Sequence, residues 1–247
     1  MRVGEDPRFP GVDSRAPHLR ICSRSCSLRH LARNRGSRLP SNHARESVGR
    51  YGLRGPDQAK RWLAFLRNHR EAIAAMDFFT VPTITFGVLY CFFIISHDRR
   101  RILHVNATKH PTSAWIIQQR REAFPFEAFR KYLIFDRDQK FGFEVIAAVK
   151  ATRIIPKRTS FRSPWQNGIA ERWVGSCRRD LLDHMVALNE HHLKRLLSEY
   201  VRYHHEDRTH LGLKKGTPEG RIRSEASGRV LSQERLGGLH HRYNRAA

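Results

Sequence analysis

An aspartate stands inside the apolar run Ile73-Ala-Ala-Met-Asp-Phe-Phe-Thr80, and this run constrains the fold more than any other feature. Its composition is that of a strand, and a carboxylate near a strand core is costly unless something compensates it. Period-two alternation puts Asp77 on the face of Ala75 and Phe79. The stretch that follows, Val81 to Ser96, is the longest apolar one in the chain. It is too short for a comfortable membrane span and contains Pro82 and two threonines. Its β-branched and aromatic residues read as a second buried strand, from Ile84 to Ile95. Ser96-His-Asp-Arg99 then makes a turn, and Arg101 to Asn106 a third strand that closes a hairpin.

The remaining elements follow from periodicity. Gln58 to Ile73 has helical spacing, with Trp62, Leu63, Phe65 and Leu66 on one side. Pro111 to Ala123 reads as a helix with Pro111 in its first turn. Lys131 to Phe135 is a short buried strand, Phe143 to Ala151 a helix and Arg153 to Pro156 a short strand. Ser163 with Gln166 suggests a capping box opening a helix that runs to about Met185. A last helix spans Glu190 to His205, with Leu193, Leu196, Leu197, Tyr200 and Val201 at helical spacing. A three-strand hairpin followed by β-α units makes an α/β fold, a mixed sheet with helices on its faces. In such sheets, sites gather at strand ends next to helices.

The chain of 247 residues has room for one sizeable domain and a smaller appendage. Its formal net charge is +23, an excess that folding does not require and that fits a polyanionic partner, nucleic acid first among them. No basic amphipathic helix stands out, so a membrane surface is not expected. The first residues do not form a signal peptide. Four cysteines, two of them in segments expected to be buried, point to a reduced intracellular setting. Residues 1–56 are rich in Arg and Ser and lack hydrophobic periodicity, so a poorly ordered basic N-terminal segment is expected. Cys22, Cys26, His30 and His43 have a loose zinc-type spacing there, and the Arg-rich start loosely suggests a transit peptide. Residues 57–215 are expected to form the structured core, and residues 216–247 a loosely packed basic tail.

Two further acids have unusual settings. Asp136 closes the apolar run Tyr132-Leu-Ile-Phe-Asp136, where a turn or cap aspartate is the simple alternative. Glu171 lies in Ser163-Pro-Trp-Gln-Asn-Gly-Ile-Ala-Glu-Arg-Trp173. Ile169, Trp173, Cys177 and Leu181 repeat every four residues, and at about 100° per residue Glu171 lies well round from that apolar stripe. Arg178 returns to the face of Glu171 with Arg179 beside it. Adjacent strands and one helix can bring Asp77, Asp136 and Glu171 together as oxygen ligands for one or two Mg2+ or Mn2+ ions. On a basic protein, such a site points to phosphodiester chemistry.

The motifs resemble a known family. Tyr132-Leu-Ile-Phe-Asp-Arg-Asp-Gln-Lys-Phe-Gly142, Arg162-Ser-Pro-Trp-Gln-Asn-Gly-Ile-Ala-Glu-Arg172 and Arg178-Arg-Asp-Leu-Leu-Asp-His184 resemble the DDE integrase/transposase catalytic core of bacterial insertion sequences. Tyr200-Val-Arg-Tyr-His204 and Arg208-Thr-His-Leu-Gly-Leu213 continue the resemblance, as does Met76-Asp-Phe-Phe79 upstream. It implies a ribonuclease H-like five-stranded mixed sheet flanked by helices. It maps the catalytic and metal-binding acids onto Asp77, Asp136 and Glu171. The spacing 171 − 136 = 35 is close to the family's usual one; Asp138 is a competing candidate. Asn167 and Gly168 fall where the family has the turn before the glutamate helix.

The resemblance further implies DNA transposition by two-metal-ion phosphodiester hydrolysis and transesterification. The partners would be element ends and target DNA, bound by a homo-oligomer in the bacterial cytoplasm at the nucleoid. Lys157, Arg158, Arg172, Arg178 and Arg179 are the candidate phosphate contacts. The N-terminal segment does not read as the helix-turn-helix such enzymes carry. That leaves two alternatives open: a truncated remnant that binds DNA without catalysis, and a ribonuclease H-like nuclease.

Overall fold

The computed structural model describes residues 56–125, 130–161, 163–222 and 227–246. Helix α1 (Pro56–Asn68) leads through a short 3-10 turn into β1 (Ile73–Pro82), β2 (Val88–Ser96) and β3 (Ile102–Thr108). Then come α2 (Ser113–Ala123), β4 (Tyr132–Phe135), α3 (Phe143–Ala151), β5 (Ile155–Arg158), α4 (Gly168–Asp180) and α5 (Glu190–Glu206). A hairpin of β6 (Val230–Arg235) and β7 (His240–Arg245) follows. The segment expected to be poorly ordered, with its cysteines and histidines, lies outside the described residues.

The first five strands form one sheet in the order β3-β2-β1-β4-β5. The β1-β2 and β2-β3 pairs are antiparallel, and β4 and β5 run parallel to β1. Helices cover both faces, which explains why β1 opens with four consecutive fully buried residues, Ile73 to Met76. Ile73, Ala75, Phe79 and Val81 pack with Trp173, Cys177, Leu193 and Leu197 on the α4–α5 side. Ala74 and Met76 pack with Ile116, Val145 and Val149 on the α2–α3 side. This is the mixed, helix-flanked five-stranded sheet that the residue pattern implied.

Several boundaries differ from the sequence reading, each for a local reason. Strand β2 starts at Val88, because Thr83 to Gly87 form a tight turn. Thr83 N–H donates to Gly87 O (2.8 Å), and Phe86 sits at φ 59°. Pro111 is outside α2; Thr112 caps that helix by accepting from Trp115 N–H (3.2 Å), worth about 1 kcal/mol. The capping box at Ser163 is absent. Pro164–Asn167 form a 3-10 turn, and Gln166 Oε1 instead accepts the Ser160 N–H at 2.6 Å. Helix α4 ends at Asp180, with a separate 3-10 turn at Leu182–His184 where the helix was expected to continue to Met185.

The C-terminal hairpin is the largest departure from the expected loose tail. Gly237 and Gly238 turn it with φ 64° and 91°, where glycine carries no Cβ penalty. Its strands are mostly exposed and polar, so no apolar alternation announces them. Ion pairs hold it to the end of α5. Arg235 Nε lies 2.7 Å and Arg242 Nε 3.4 Å from the carboxylate of Asp207, whose side chain is only 2% exposed. His240 Nε2 lies 2.9 Å from the Asp180 carbonyl oxygen, and its ring stacks on Tyr203. Removing one partner of a buried pair leaves the others uncompensated. Asp207→Asn is therefore expected to cost about 2 kcal/mol or more and to make residues 227–246 protease-sensitive under native conditions. Unchanged native-state proteolysis would show that the ion pairs do not hold the hairpin.

Candidate active site

The β1–β4 register builds the site. Ala75 pairs with Ile134 on neighbouring parallel strands. Asp77 stands two residues further along β1, and Asp136 two residues beyond Ile134, just past the end of β4. Parity places both on the α4–α5 side, with Ala75 and Ile134. Glu171 comes to the same place from the first turn of α4, whose opposite stripe is buried through Ala170, Trp173 and Cys177.

The electrostatics of the three acids follow from this convergence. Burial pushes the Asp77 carboxyl up to about 7, and the charges of Asp136 and Glu171 add to the rise. The hydrogen bonds Asp77 accepts from Phe78 N–H (2.8 Å) and Asn167 Nδ2 (3.1 Å) offset part of it. Glu171 is raised by burial and then by Asp136. Asp136 is also raised by burial, with the Asp138 N–H (2.9 Å), Lys140 and Arg158 pulling the other way. Asp138 behaves differently. Burial pushes it up, but Lys140 outweighs this through its Nζ at 2.6 Å and its N–H at 2.9 Å, so Asp138 sits below the usual range.

Among the described residues, no group of three or more His, Cys, Asp or Glu side chains is placed so that it could hold a metal ion. The donor set still suits a hard divalent cation. Converging carboxylates with raised pKa are held together against their own repulsion, and carboxylate oxygen is what Mg2+ and Mn2+ prefer. The Oδ1 of Asn167 is buried without a hydrogen-bond partner beside this group.

The basic candidates divide. Arg158, at the end of β5, acts electrostatically on Asp136. Lys157 lies over the rings of Phe65 and Tyr132, 5.6 Å from each centroid. Arg178 donates to Thr80 O (3.2 Å), tying α4 to β1. Arg172 instead borders a small pocket with Arg100, Trp173 and His204. Arg179 is exposed at the end of α4, where its carbonyl meets His184 Nε2 (2.9 Å). These five residues are therefore not one continuous patch.

Sequence reasoning assigned Asn167 and Gly168 to shaping the turn. Asn167 ends the 3-10 turn that precedes α4 and also donates to Asp77 directly. Gly168 has an ordinary helical φ of −61°, and a Cβ there would meet nothing within 4 Å. Gln166 was missed as a clamp: its carbonyl accepts from Trp62 Nε1 (3.1 Å) while its side chain holds Ser160. The Trp62 contact joins residues remote in sequence, and the Ser160 contact replaces the cap that the local pattern suggested, so neither is signalled by periodicity.

Comparison with known proteins bears on the fold. Residues 152–218 match a family model described as an integrase core domain. A chain of the simian T-cell lymphotropic virus intasome superposes with a TM-score of 0.52 at 12% identity, over 70% of this chain and 66% of that one. The HTLV-2 integrase catalytic core domain, solved in complex with magnesium, aligns at TM-score 0.49 and 13% identity, over 60% of this chain and 94% of its own. The BIV integrase catalytic core aligns at 0.46 and 13%, over 60% and 91%. No curated protein matches the sequence. The integrase-core match lies across β5, α4 and α5, and the intasome chain shares the fold of the helix-flanked five-stranded sheet, so the described region is similar to an integrase core in its fold.

Proposed function

We propose that the protein is a DNA strand-transfer enzyme of the transposase type, with Asp77, Asp136 and Glu171 as its catalytic and metal-binding acids. The observation that carries this reading is the placement of these acids, two beyond the paired positions Ala75 and Ile134 of adjacent parallel strands and one in the first turn of α4, near enough that Asp136 and Glu171 both raise Asp77. Asp136 is preferred to Asp138 because the Asp138 carboxylate is occupied by Lys140.

Asp77, Asp136 and Glu171 would hold Mg2+ or Mn2+, two ions in the full reaction. When bound, these ions supply activation of the attacking oxygen and stabilisation of the leaving one. Asn167 fixes one Asp77 oxygen, so the carboxylate keeps its orientation without substrate. Arg158 places positive charge beside Asp136, where it attracts a phosphate and lowers the repulsion that phosphate meets from the acids. Lys157, Arg172, Arg178 and Arg179 are proposed to contact the DNA backbone further out, and a homo-oligomer to join two ends. In the first step water attacks phosphorus at the element end, and the bond to the flanking strand breaks to free a 3′-OH. In the second, that 3′-OH attacks a target phosphodiester, forming one P–O bond as another breaks.

The test is incubation with Mg2+ or Mn2+ and a duplex carrying the element's own ends. Nicked and joined products are expected. Nicking without joining would make the protein a nuclease, and binding without cleavage under either metal would make it a catalytically silent remnant. Asp138→Asn should leave joining within a few-fold of the parent, whereas Asp136→Asn should remove it. The reverse pattern would transfer the role to Asp138.

A further inference from the structure

A separate cavity lies between the loop His210 to Gly216 and the β6–β7 hairpin. It measures about 810 Å³, and none of its lining residues belongs to the acidic site. Lys214, Lys215, Arg221, Arg242 and Arg245 line it, and among the described residues Asp207 is the sole carboxylate in its wall. That carboxylate is already taken. Arg235 and Arg242 hold it as described, and Arg221 Nη1 lies 3.6 Å away. Among the described residues, three guanidiniums around one buried acid leave the wall with an excess of positive charge. The cations are also fixed in place: Arg221 Nη2 donates to Tyr243 O (2.8 Å) and Asn244 Oδ1 (2.6 Å).

The two lysines add an independent observation. Lys214 and Lys215 are consecutive and both left-handed, at φ 55° and 63°. Side-chain-bearing residues rarely adopt this conformation, and two in succession favour glycine or asparagine on backbone grounds alone. The loop enforces it by closing on itself. His210 N–H donates to Gly216 O, and Lys215 N–H to His210 O, both at 3.0 Å. Among the described residues neither lysine side chain makes an ion pair or hydrogen bond. Strain is thus retained to present two unpaired ammonium groups at the mouth of a basic cavity.

We propose that this cavity is a second binding site for the phosphodiester backbone of DNA, separate from the acidic centre. The proposal rests on the DNA-directed reading above for its ligand, but not on catalysis. It is tested with the full chain by measuring affinity for a random-sequence duplex over a salt series. The double variant Lys214→Gly/Lys215→Gly is compared with Arg195→Ala/Arg202→Ala, which removes the same charge from exposed positions on α5.

The glycine variant is expected to melt no lower than the parent, because the left-handed strain is relieved. Its affinity should fall roughly tenfold near 0.1 M salt, and the slope of log K against log salt should become shallower by about two. The α5 variant should change less on both counts. Unchanged affinity and slope in the glycine variant, or equal losses in the two variants, would overturn the proposal. Metal-dependent nicking is followed in parallel. Its absence would count against the catalytic reading and leave the affinity comparison to decide the cavity.

Discussion

Asp77→Asn is expected to lower strand joining by about a thousandfold or more and, at the same time, to raise the melting temperature of the metal-free protein near pH 8. The two effects share one cause. Asp77 is held in a mostly buried position beside Asp136 and Glu171, and its carboxyl is pushed up to about 7. A group whose folded pKa exceeds its unfolded value of 3.8 stabilises the fold at low pH, and that contribution is lost as pH rises through about 7. At pH 8 the ionised carboxylate is therefore a liability that an uncharged amide of the same shape removes. Without its carboxylate the site also loses a ligand, so added Mg2+ should raise the melting temperature of the parent much more than that of the variant. Melting with and without Mg2+, alongside the joining assay, reads both. A variant that joins normally, or that is less stable than the parent at pH 8 without metal, would contradict the site.

The second large effect is acid lability from three buried histidines. His97 and His204 are each 2% exposed and His210 is 7% exposed, and each has a ring nitrogen without a partner. Burial lowers His97 to about 4, with Arg70 adding to the depression. Burial and then His210 lower His204 to about 3; burial and then Arg208 and Arg100 lower His210 to about 4. These groups bind protons in the unfolded chain below its ordinary value of 6.5 but not in the folded one. Their contribution is complete above 6.5 and is lost as pH falls toward 4. Every tenfold weakening of proton affinity in the folded state corresponds to about 1.4 kcal/mol for each ring. Asp77 has the opposite slope over much of that window. The Asp77→Asn variant is therefore the background in which to measure it. There, the unfolding free energy should drop by several kcal/mol between pH 7 and pH 5. A flat profile would mean that the histidines are solvated.

How far the sequence reached depends on what each residue's surroundings supply. Strands β1 and β4 were readable because their apolar runs are buried on both faces, and α3 because Phe143 to Ala151 is bounded by Gly142 and a turn. Strand β5 was placed two residues early, because Ile155-Pro-Lys-Arg158 is half polar and gains strand form only by pairing with β4. The β6–β7 hairpin escaped notice because Asp207, more than twenty residues upstream, holds it by charge. In the site, the alternation of β1 and the phase of α4 put Asp77 and Glu171 on one side, and the structure brings them together there. Asn167 was visible as part of a motif, but its bond to Asp77 joins α4's entry to the sheet and cannot be inferred from neighbours.

The register of β1 and β4 has a consequence for how such a centre tolerates length changes. Asp77 and Asp136 share a face because each stands two residues beyond a paired position, Ala75 and Ile134. A single-residue insertion between Tyr132 and Asp136 that left the pairing intact would turn the Asp136 side chain toward Phe135's partners on the α2–α3 side. An insertion of two would keep the orientation and shift the carboxylate outward by about 7 Å. The centre is encoded as a parity as well as a set of residues, so frame-preserving indels in this strand would sort into odd and even classes by whether the two acids still meet.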